Sequence, residues 1–266
     1  MYKSFYSLSR QPFSKEIKTE NLFKSENFKE TISRLNYLKR TRGIGVIVGE
    51  SGCGKTSALR AFADNINSSL FKVIYSPHST GSVMDFYRNL ATGLGEKPVF
   101  RRSDLFKQIQ AAISNYYVKK NVTPVFIMDE MHLSSNKFLN ELSILFNFSM
   151  DSKNPFILIL SGLSFFLDKL DLNQNQSLAQ RVVMKYHMVP LSKEEVKEYI
   201  EHHLKIAGST HNIFTPGAIE AISSNSRGLP RLVNSLAINS LLIGCQMKAD
   251  SINDEIIRKA SEEVGI

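Results

Sequence analysis

The stretch that decides the fold runs from residue 45 to residue 56 and reads Gly-Val-Ile-Val-Gly-Glu-Ser-Gly-Cys-Gly-Lys-Thr. Its last eight residues match the pattern G-x-x-x-x-G-K-[S/T]. The apolar run Gly45–Val48 precedes the match as a buried strand would, and the run Ser57–Ile66 follows it as a helix would. A glycine-rich turn between a strand and a helix points its backbone N–H groups at phosphate. The stretch therefore predicts a P-loop that binds a nucleoside triphosphate.

Each position of the predicted P-loop has a part in binding ATP with Mg²⁺. The predicted nucleotide-binding residues are Gly49, Glu50, Ser51, Gly52, Cys53, Gly54, Lys55 and Thr56. The glycines let the backbone turn toward the phosphates. Lys55 would neutralise the β- and γ-phosphate oxygens, and the hydroxyl group of Thr56 would bind Mg²⁺. The cofactors expected from these residues are ATP and Mg²⁺.

A second apolar run ends in two acidic residues. Pro124–Met128 reads as a buried strand, and Asp129 and Glu130 follow it directly. Open α/β sheets place ligands at the carboxyl ends of their strands. We expect Asp129 to hold Mg²⁺ and Glu130 to orient and deprotonate the attacking water. The string Asp-Glu-Met-His occurs in helicases, but no other helicase motif is found, so we expect His132 to be a surface histidine.

Apolar runs alternate with helical patterns through the first two thirds of the chain. The predicted strands are Gly45–Val48, Phe71–Tyr75, Pro124–Met128 and Phe156–Leu160, with a fifth near Lys185–Val189. After residue 190 only helices follow, the first opened by Ser192 with Glu195 in a capping box. The predicted fold is α/β, a P-loop NTPase core with helices on both faces of a parallel sheet, and a small all-helical C-terminal lid. The predicted domains are a basic N-terminal linker, the core and the lid, at residues 1–43, 44–190 and 191–266.

Composition narrows the class of protein. The 266 residues are 42% hydrophobic, enough for a full core, and no apolar run is long enough to cross a bilayer, so we expect no membrane contact. Two cysteines form no motif, which favours the reducing cytoplasm. The formal net charge is +8, and residues 1–43 hold ten Lys and Arg against four Glu. This balance fits a polyanionic partner such as nucleic acid, or equally a solvated basic surface.

Three polar residues downstream lie where an ATPase built from neighbouring subunits needs them. Ser161 ends the fourth predicted strand and could hydrogen-bond the γ-phosphate or the attacking water. Arg181 precedes the fifth strand and could enter the next subunit's site as an arginine finger. Arg231 begins a lid helix and could touch the phosphates. By position alone, an ordinary capping serine and salt-bridged arginines explain the three residues equally well.

Several further sequence motifs form a recognisable pattern together with these residues. They are Phe5-Tyr6-Ser7-Leu8, Gln11-Pro12-Phe13-Ser14, the P-loop, Met128-Asp129-Glu130-Met131-His132-Leu133, Leu145-Phe146-Asn147-Phe148, Met150-Asp151-Ser152, Gln180-Arg181 and Arg227-Gly228-Leu229-Pro230-Arg231-Leu232-Val233-Asn234. Over nearly its whole length the chain thereby resembles the ExeA-type AAA+ ATPases, which group with IstB-like and TnsC-like transposition regulators. The resemblance implies an AAA+ fold and an ATP-bound homo-oligomer, either a ring or a filament. It also implies that Ser161, Arg181 and Arg231 are sensor 1, arginine finger and sensor 2, although members commonly carry Gly-Gln where this chain has Gly162-Leu163.

The resemblance leaves two functions open. One is an ATP-dependent DNA-binding regulator of transposition, which selects a target or activates a transposase and binds duplex DNA largely independently of sequence. The other is a protein-remodelling or assembly ATPase of a secretion or envelope machine without DNA contact. Secretion-type members continue into a transmembrane segment and a cell-wall-binding domain, neither of which this sequence contains, so we expect the first. The candidate DNA contacts are Lys97, Arg101, Arg102 and Lys107, between the second and third strands.

Overall fold

The computed structural model describes residues 2–77 and 82–265. Five strands occur there: β1 (Gly43–Gly49), β2 (Phe71–Pro77), β3 (Thr123–Asp129), β4 (Ile157–Gly162) and β5 (Val182–Met188). The α-helices are α1 (Tyr2–Phe5), α2 (Glu26–Thr41), α3 (Lys55–Asn65), α4 (Val83–Gly93), α5 (Arg102–Lys119), α6 (Asn136–Leu145), α7 (Phe166–Leu170), α8 (Gln176–Ala179), α9 (Lys193–Ile206), α10 (Pro216–Ser226), α11 (Pro230–Gln246) and α12 (Asp254–Val264). Short 3₁₀ helices cover Thr19–Asn21, Met131–Leu133 and Asn173–Asn175.

The strands form one sheet in the order β2-β3-β4-β1-β5. The pairs β2–β3, β3–β4 and β4–β1 are parallel. Every residue of β1, β3 and β4 is buried, whereas β2 and β5 alternate with more exposed positions. Strands that are apolar on both faces need neighbours and helices all round, so they occupy the middle of the sheet.

All the predicted strands are present, with different ends. The predicted run Gly45–Val48 extends to Gly43–Gly49 because backbone pairing with β4 begins at Gly43. The fifth strand begins at Val182, three residues before the predicted Lys185, since an edge strand alternates between polar and apolar residues and has no continuous apolar run. The predicted Ser192 capping box of α9 is confirmed: the Ser192 hydroxyl accepts from the Glu195 backbone.

The chain divides into two compact units. The α/β unit comprises Glu30–Gly49 and Ala58–His187. In its core, one face of the sheet packs against α4, α5 and α6. On α2, Leu38 packs at Gly45, where a Cβ atom would lie 2.6 Å from the Leu38 side chain.

The helical unit comprises Met1–Lys29, Glu50–Ser57 and Met188–Ile266. Its core consists of apolar residues from α9 to α12, joined by Tyr6, Leu8 and Phe13. These three residues lie in the segment predicted to be a linker. Because their side chains are buried, the start of the chain packs into this core. The three-part domain division remains a proposal. Within residues 2–77 and 82–265, no helix has the length and apolarity to span a bilayer.

Candidate nucleotide-binding site

The P-loop has the backbone that its sequence predicts. It leaves β1 at Gly49 and enters α3 at Lys55. Gly52 and Gly54 have φ angles of +84° and +106°, values that L-residues with side chains rarely adopt. These two glycines therefore allow the turn that brings the loop's N–H groups and the first turn of α3 together as donors.

Lys55 is folded over this loop. Its side chain is buried, and its ammonium group donates to the Glu50 carbonyl at 2.9 Å. The ammonium also lies 3.9 Å from the Cys53 sulfur. Burial raises the pKa of the Cys53 thiol, although the Lys55 charge acts in the opposite direction. A buried ammonium among backbone donors suits a polyphosphate, so the residues present fit a bound nucleotide.

Arg231 lies against the P-loop inside the helical unit. Its Nη1 donates to the Ser51 hydroxyl at 3.1 Å, and its backbone N–H donates to the Gly52 carbonyl at 3.3 Å. The contact is close enough that a Cβ atom at residue 52 would lie 2.7 Å from the Arg231 Cβ. The arginine predicted to touch the phosphates is thus held beside the loop predicted to bind them.

Gly228 sets the start of the helix that carries Arg231. It has φ +71°, and a Cβ atom there would lie 2.1 Å from the Leu191 carbonyl oxygen. The Leu191 N–H donates back to the Gly228 carbonyl at 2.9 Å. Pro230 then occupies the first turn of α11, where no backbone donor is needed.

The two acidic residues lie at the carboxyl edge of the sheet. Asp129 ends β3 and is buried, with its Oδ1 accepting from the Glu130 N–H at 3.0 Å. Glu130 has φ +59°, so the backbone leaves the strand conformation there, and its side chain is half-exposed. Burial, followed by the Asp129 charge, raises the pKa of the nearby Tyr75 hydroxyl. A buried carboxylate at this edge has the oxygen ligands that Mg²⁺ prefers.

Ser161 lies at the same edge, one residue before the end of β4. It pairs in register with Ile47 of the adjacent strand β1. Its side chain is fully buried, and its Oγ has no hydrogen-bond partner among the described residues. An unsatisfied buried hydroxyl costs about 1–3 kcal/mol, so such a group calls for an explanation. The role of Ser161 as sensor 1 remains a proposal.

His132 is not the surface residue that the sequence led us to expect. Only 9% of its side chain is exposed. Its ring packs edge-on against Phe165, with ring centroids 5.3 Å apart. His132 lies in the short 3₁₀ helix Met131–Leu133 that follows Glu130, and strand patterns do not reveal such a turn.

Arg181 directly precedes β5 as expected, but it is engaged within its own unit. Its guanidinium donates to the Ser143 carbonyl of α6 and pairs with Asp151, the Nε–Oδ1 distance being 3.1 Å. Its side chain is 19% exposed. A role as arginine finger therefore requires that these contacts open, and it remains a proposal.

The four basic residues predicted to contact DNA are all exposed. Arg102, however, is bound to Glu141, which also accepts from the Tyr87 hydroxyl at 2.8 Å. Burial acts to raise the pKa of Glu141, but hydrogen bonds from Arg102 and Tyr87 outweigh it and lower the pKa. Sequence reasoning missed Phe100, which is 85% exposed beside these residues. The sequence feature that could have revealed Phe100 is its position between Val99 and Arg101.

Comparison with known proteins agrees with this fold. Residues 38–170, half of the chain, match the family model of the AAA domain. The chain is 29% identical to the General secretion pathway protein A of Aeromonas hydrophila, over 99% of its own length and 48% of the relative's. It thus spans about half the length of that relative. This similarity supports the ExeA-type resemblance; the relation to transposition regulators stays a proposal.

Solved structures of other proteins share the fold. Cdc6p from Pyrobaculum aerophilum superposes with a TM-score of 0.70 at 16% identity, covering 98% of this chain and 71% of that one. The Aeropyrum pernix ORC1 protein, solved in complex with DNA, gives 0.63 at 13% identity, covering 99% and 69%. The predicted AAA+ P-loop NTPase fold is confirmed.

Proposed function

The chain belongs to the AAA-domain family, and we propose that it is an ATPase whose ATP-bound oligomers bind duplex DNA and regulate transposition. The coarse activity follows from the family: the protein binds ATP with Mg²⁺ and hydrolyses it to ADP and phosphate. The DNA partner, the oligomer and the transposase are the proposed part.

In this proposal each site residue has one role. The P-loop backbone cradles the phosphates, Lys55 neutralises their charge, and Thr56 and Asp129 bind Mg²⁺. Glu130 orients and deprotonates the attacking water. The remaining roles belong to Ser161 as sensor 1, Arg231 as sensor 2 and Arg181 as arginine finger.

The main support for DNA binding comes from the loop between α4 and α5. It presents Phe100, which is 85% exposed, next to the exposed side chains of Lys97 and Arg101. The loop is fixed from α5, because Gln108 accepts from the Val99 N–H at 3.2 Å and donates to the Lys97 carbonyl at 2.9 Å. On duplex DNA, an exposed aromatic side chain can insert between base steps while neighbouring basic side chains pair with phosphates.

Two further points support a DNA partner. The net charge of +8 favours a polyanion, and a protein of the same fold has been solved with DNA. No residue on this loop forms a base-reading motif, so we infer that binding depends on phosphate contacts and only weakly on sequence. A cytoplasmic location is part of this proposal, because ATP and DNA are both found there.

A second candidate is an assembly ATPase of a secretion machine. The observation that favours it is the similarity to the General secretion pathway protein A. In that case the loop around Phe100 would bind a protein partner, and the basic residues would have no role in DNA binding.

Binding to a random-sequence duplex, measured by fluorescence anisotropy, tests the two candidates. We expect binding with a non-hydrolysable ATP analogue, weaker binding with ADP, and a steep loss of affinity, on the order of a thousandfold or more, between 50 and 200 mM salt. Lys55→Ala is the matched control, since it removes the nucleotide dependence and keeps the surface charge. Equal and negligible binding in all nucleotide states at low salt would contradict the DNA role and favour the assembly ATPase.

A further inference from the structure

His132 lies between the acidic pair and the loop that follows β4. Its Nδ1 is 3.4 Å from the Oε2 atom of Glu130. The same Nδ1 accepts a hydrogen bond of 3.3 Å from the Leu163 N–H. Leu163 is two residues beyond Ser161, the buried serine whose hydroxyl has no partner among the described residues. One ring nitrogen thus faces both the proposed base and the proposed sensor loop.

The two partners compete for this nitrogen. A ring nitrogen that accepts from the Leu163 N–H has no proton there, so it cannot donate to the Glu130 carboxylate. When the same nitrogen carries the proton, it can donate to Glu130, and the Leu163 N–H then loses its acceptor. The two hydrogen bonds are therefore mutually exclusive, and the one from the Leu163 N–H is formed in this structure.

The surroundings hold the ring in place for this choice. A Cβ atom at Gly162 would lie 3.1 Å from the His132 backbone nitrogen and 3.6 Å from Nδ1, so only a glycine leaves room without displacement. Phe165 packs edge-on against the ring. Lys169 donates to the His132 carbonyl at 3.1 Å and to the Ser134 carbonyl. The turn that carries His132 is thereby tied to the segment that follows β4.

We propose that His132 is a positioning residue that couples Glu130 to the loop after Ser161. The Leu163 N–H occupies Nδ1 and keeps the ring 3.4 Å from the Glu130 carboxylate, so the ring sets the spacing between the loop and the carboxylate. Without that nitrogen the Leu163 N–H loses its acceptor, the spacing is no longer set, and Glu130 is misplaced for the attacking water. This inference rests on the proposed role of Glu130 as the base and is independent of DNA binding.

Two substitutions separate the ring nitrogen from the ring's packing. His132→Phe keeps an aromatic ring against Phe165 and removes the nitrogen, whereas His132→Asn keeps an acceptor and a donor near the Nδ1 position. We expect kcat of ATP hydrolysis to fall about 10- to 100-fold in His132→Phe, as for other misplaced catalytic groups, with the Kd for ATP unchanged. His132→Asn should recover most of that loss. Equal activity of His132→Phe and wild type, or equal losses in both variants, would overturn the proposal.

The Glu130→Gln background supplies the decisive control. Because His132 acts through Glu130, adding His132→Phe to Glu130→Gln should lower the residual rate no further. The same fold loss in both backgrounds would show that His132 acts by another route. Full turnover in Glu130→Gln alone would instead remove the base assignment and the positioning role with it. If His132→Phe does not fold, His132→Ala against His132→Asn decides in the same way, with equal rates counting against the proposal.

Discussion

Arg231 Nη1 donates a 3.1 Å hydrogen bond to the Ser51 hydroxyl, which ties the start of a lid helix to the P-loop. Both side chains are exposed, so the contact contributes little to folding. For nucleotide binding, the contact places a guanidinium beside the loop that is proposed to hold the phosphates.

We therefore expect Arg231→Ala to weaken ATP binding about 10- to 150-fold without a measurable change in Tm. A charged hydrogen bond is worth about 1.5–3 kcal/mol, and 1.4 kcal/mol corresponds to a factor of ten. Titration with a fluorescent ATP analogue measures the affinity, with Arg231→Lys as the control that keeps the charge. Wild-type affinity in Arg231→Ala would exclude the sensor 2 role.

Lys55 and Glu130 should separate binding from turnover. Lys55→Ala removes the buried ammonium from the loop and should abolish nucleotide binding. Glu130→Gln removes only the proposed base, so it should bind ATP normally, lose turnover and stabilise ATP-bound assemblies. Titration calorimetry compares the two variants. Equal loss of ATP binding in both would refute this division of roles.

The loop around Phe100 should decide the salt dependence of DNA binding. Changing Arg101 and Arg102 to Ala should flatten the slope of log affinity against log salt, since each lost phosphate contact lowers it by about 0.9. Arg102 is held by Glu141, whereas Arg101 forms no ion pair within residues 2–77 and 82–265, so we expect Arg101→Ala to account for more of the change.

Phe100→Ala completes the DNA test, and should lower the affinity without changing the slope, because an uncharged ring inserted between base steps releases no counterions. Val118→Ala is the matched control: Val118 is also exposed, at 74%, and lies near the other end of α5. An unchanged slope in the double arginine variant would remove both arginines from the set of contacts.

A mixing experiment tests whether Arg181 acts as an arginine finger or is only a structural arginine. Arg181→Ala keeps a complete P-loop and Glu130, whereas Glu130→Gln keeps Arg181, and each alone should be nearly inactive, with a loss of roughly 10³–10⁵ where a finger acts. A mixture should regain part of the activity, because some interfaces pair an intact Glu130 with an intact Arg181.

The alternative is that Arg181 only stabilises the fold, through its contacts with Asp151 and Ser143. If those contacts are its whole role, Arg181→Ala should lower the free energy of unfolding by about 1–3 kcal/mol. Asp151→Ala reports the stability effect of the ion pair alone. A mixture that stays inactive while both proteins fold and co-assemble would exclude a trans-acting finger.

His203 predicts how stability changes with pH. Burial, followed by the His202 charge, lowers the pKa of His203 from 6.5 to about 4 in the folded protein. Between these values the unfolded chain binds a proton that the folded chain does not, so stability should fall as the pH falls from 6.5 to 4. The pKa difference corresponds to at most about 3 kcal/mol.

His203→Phe supplies the control, because it can keep the stacking against Phe13, whose ring centroid lies 5.1 Å away. Urea unfolding at several pH values should show a smaller loss of stability in the variant over that window, since carboxylates titrate in both proteins. Parallel pH profiles would show that His203 does not remain neutral in the fold.

The sequence by itself determined the class of the fold and supplied the residues proposed for the nucleotide site. The P-loop and the Asp129/Glu130 pair are recognisable because their function depends on residue type at fixed short spacing. The middle strands were predictable for a similar reason, since strands buried on both faces are continuously apolar. Edge strand β5 lacks that pattern, so its start was misplaced by three residues.

Only the tertiary structure decided which partners the polar side chains have. The burial of His132, the hold of Ser143 and Asp151 on Arg181, and the exposure of Phe100 all depend on segments far apart in the chain. Spacing cannot report such contacts, because packing brings the partners together only once the sheet order is set. The same holds for Tyr6 and Phe13, which a charge count assigned to a linker and which hydrophobic burial places in the helical core.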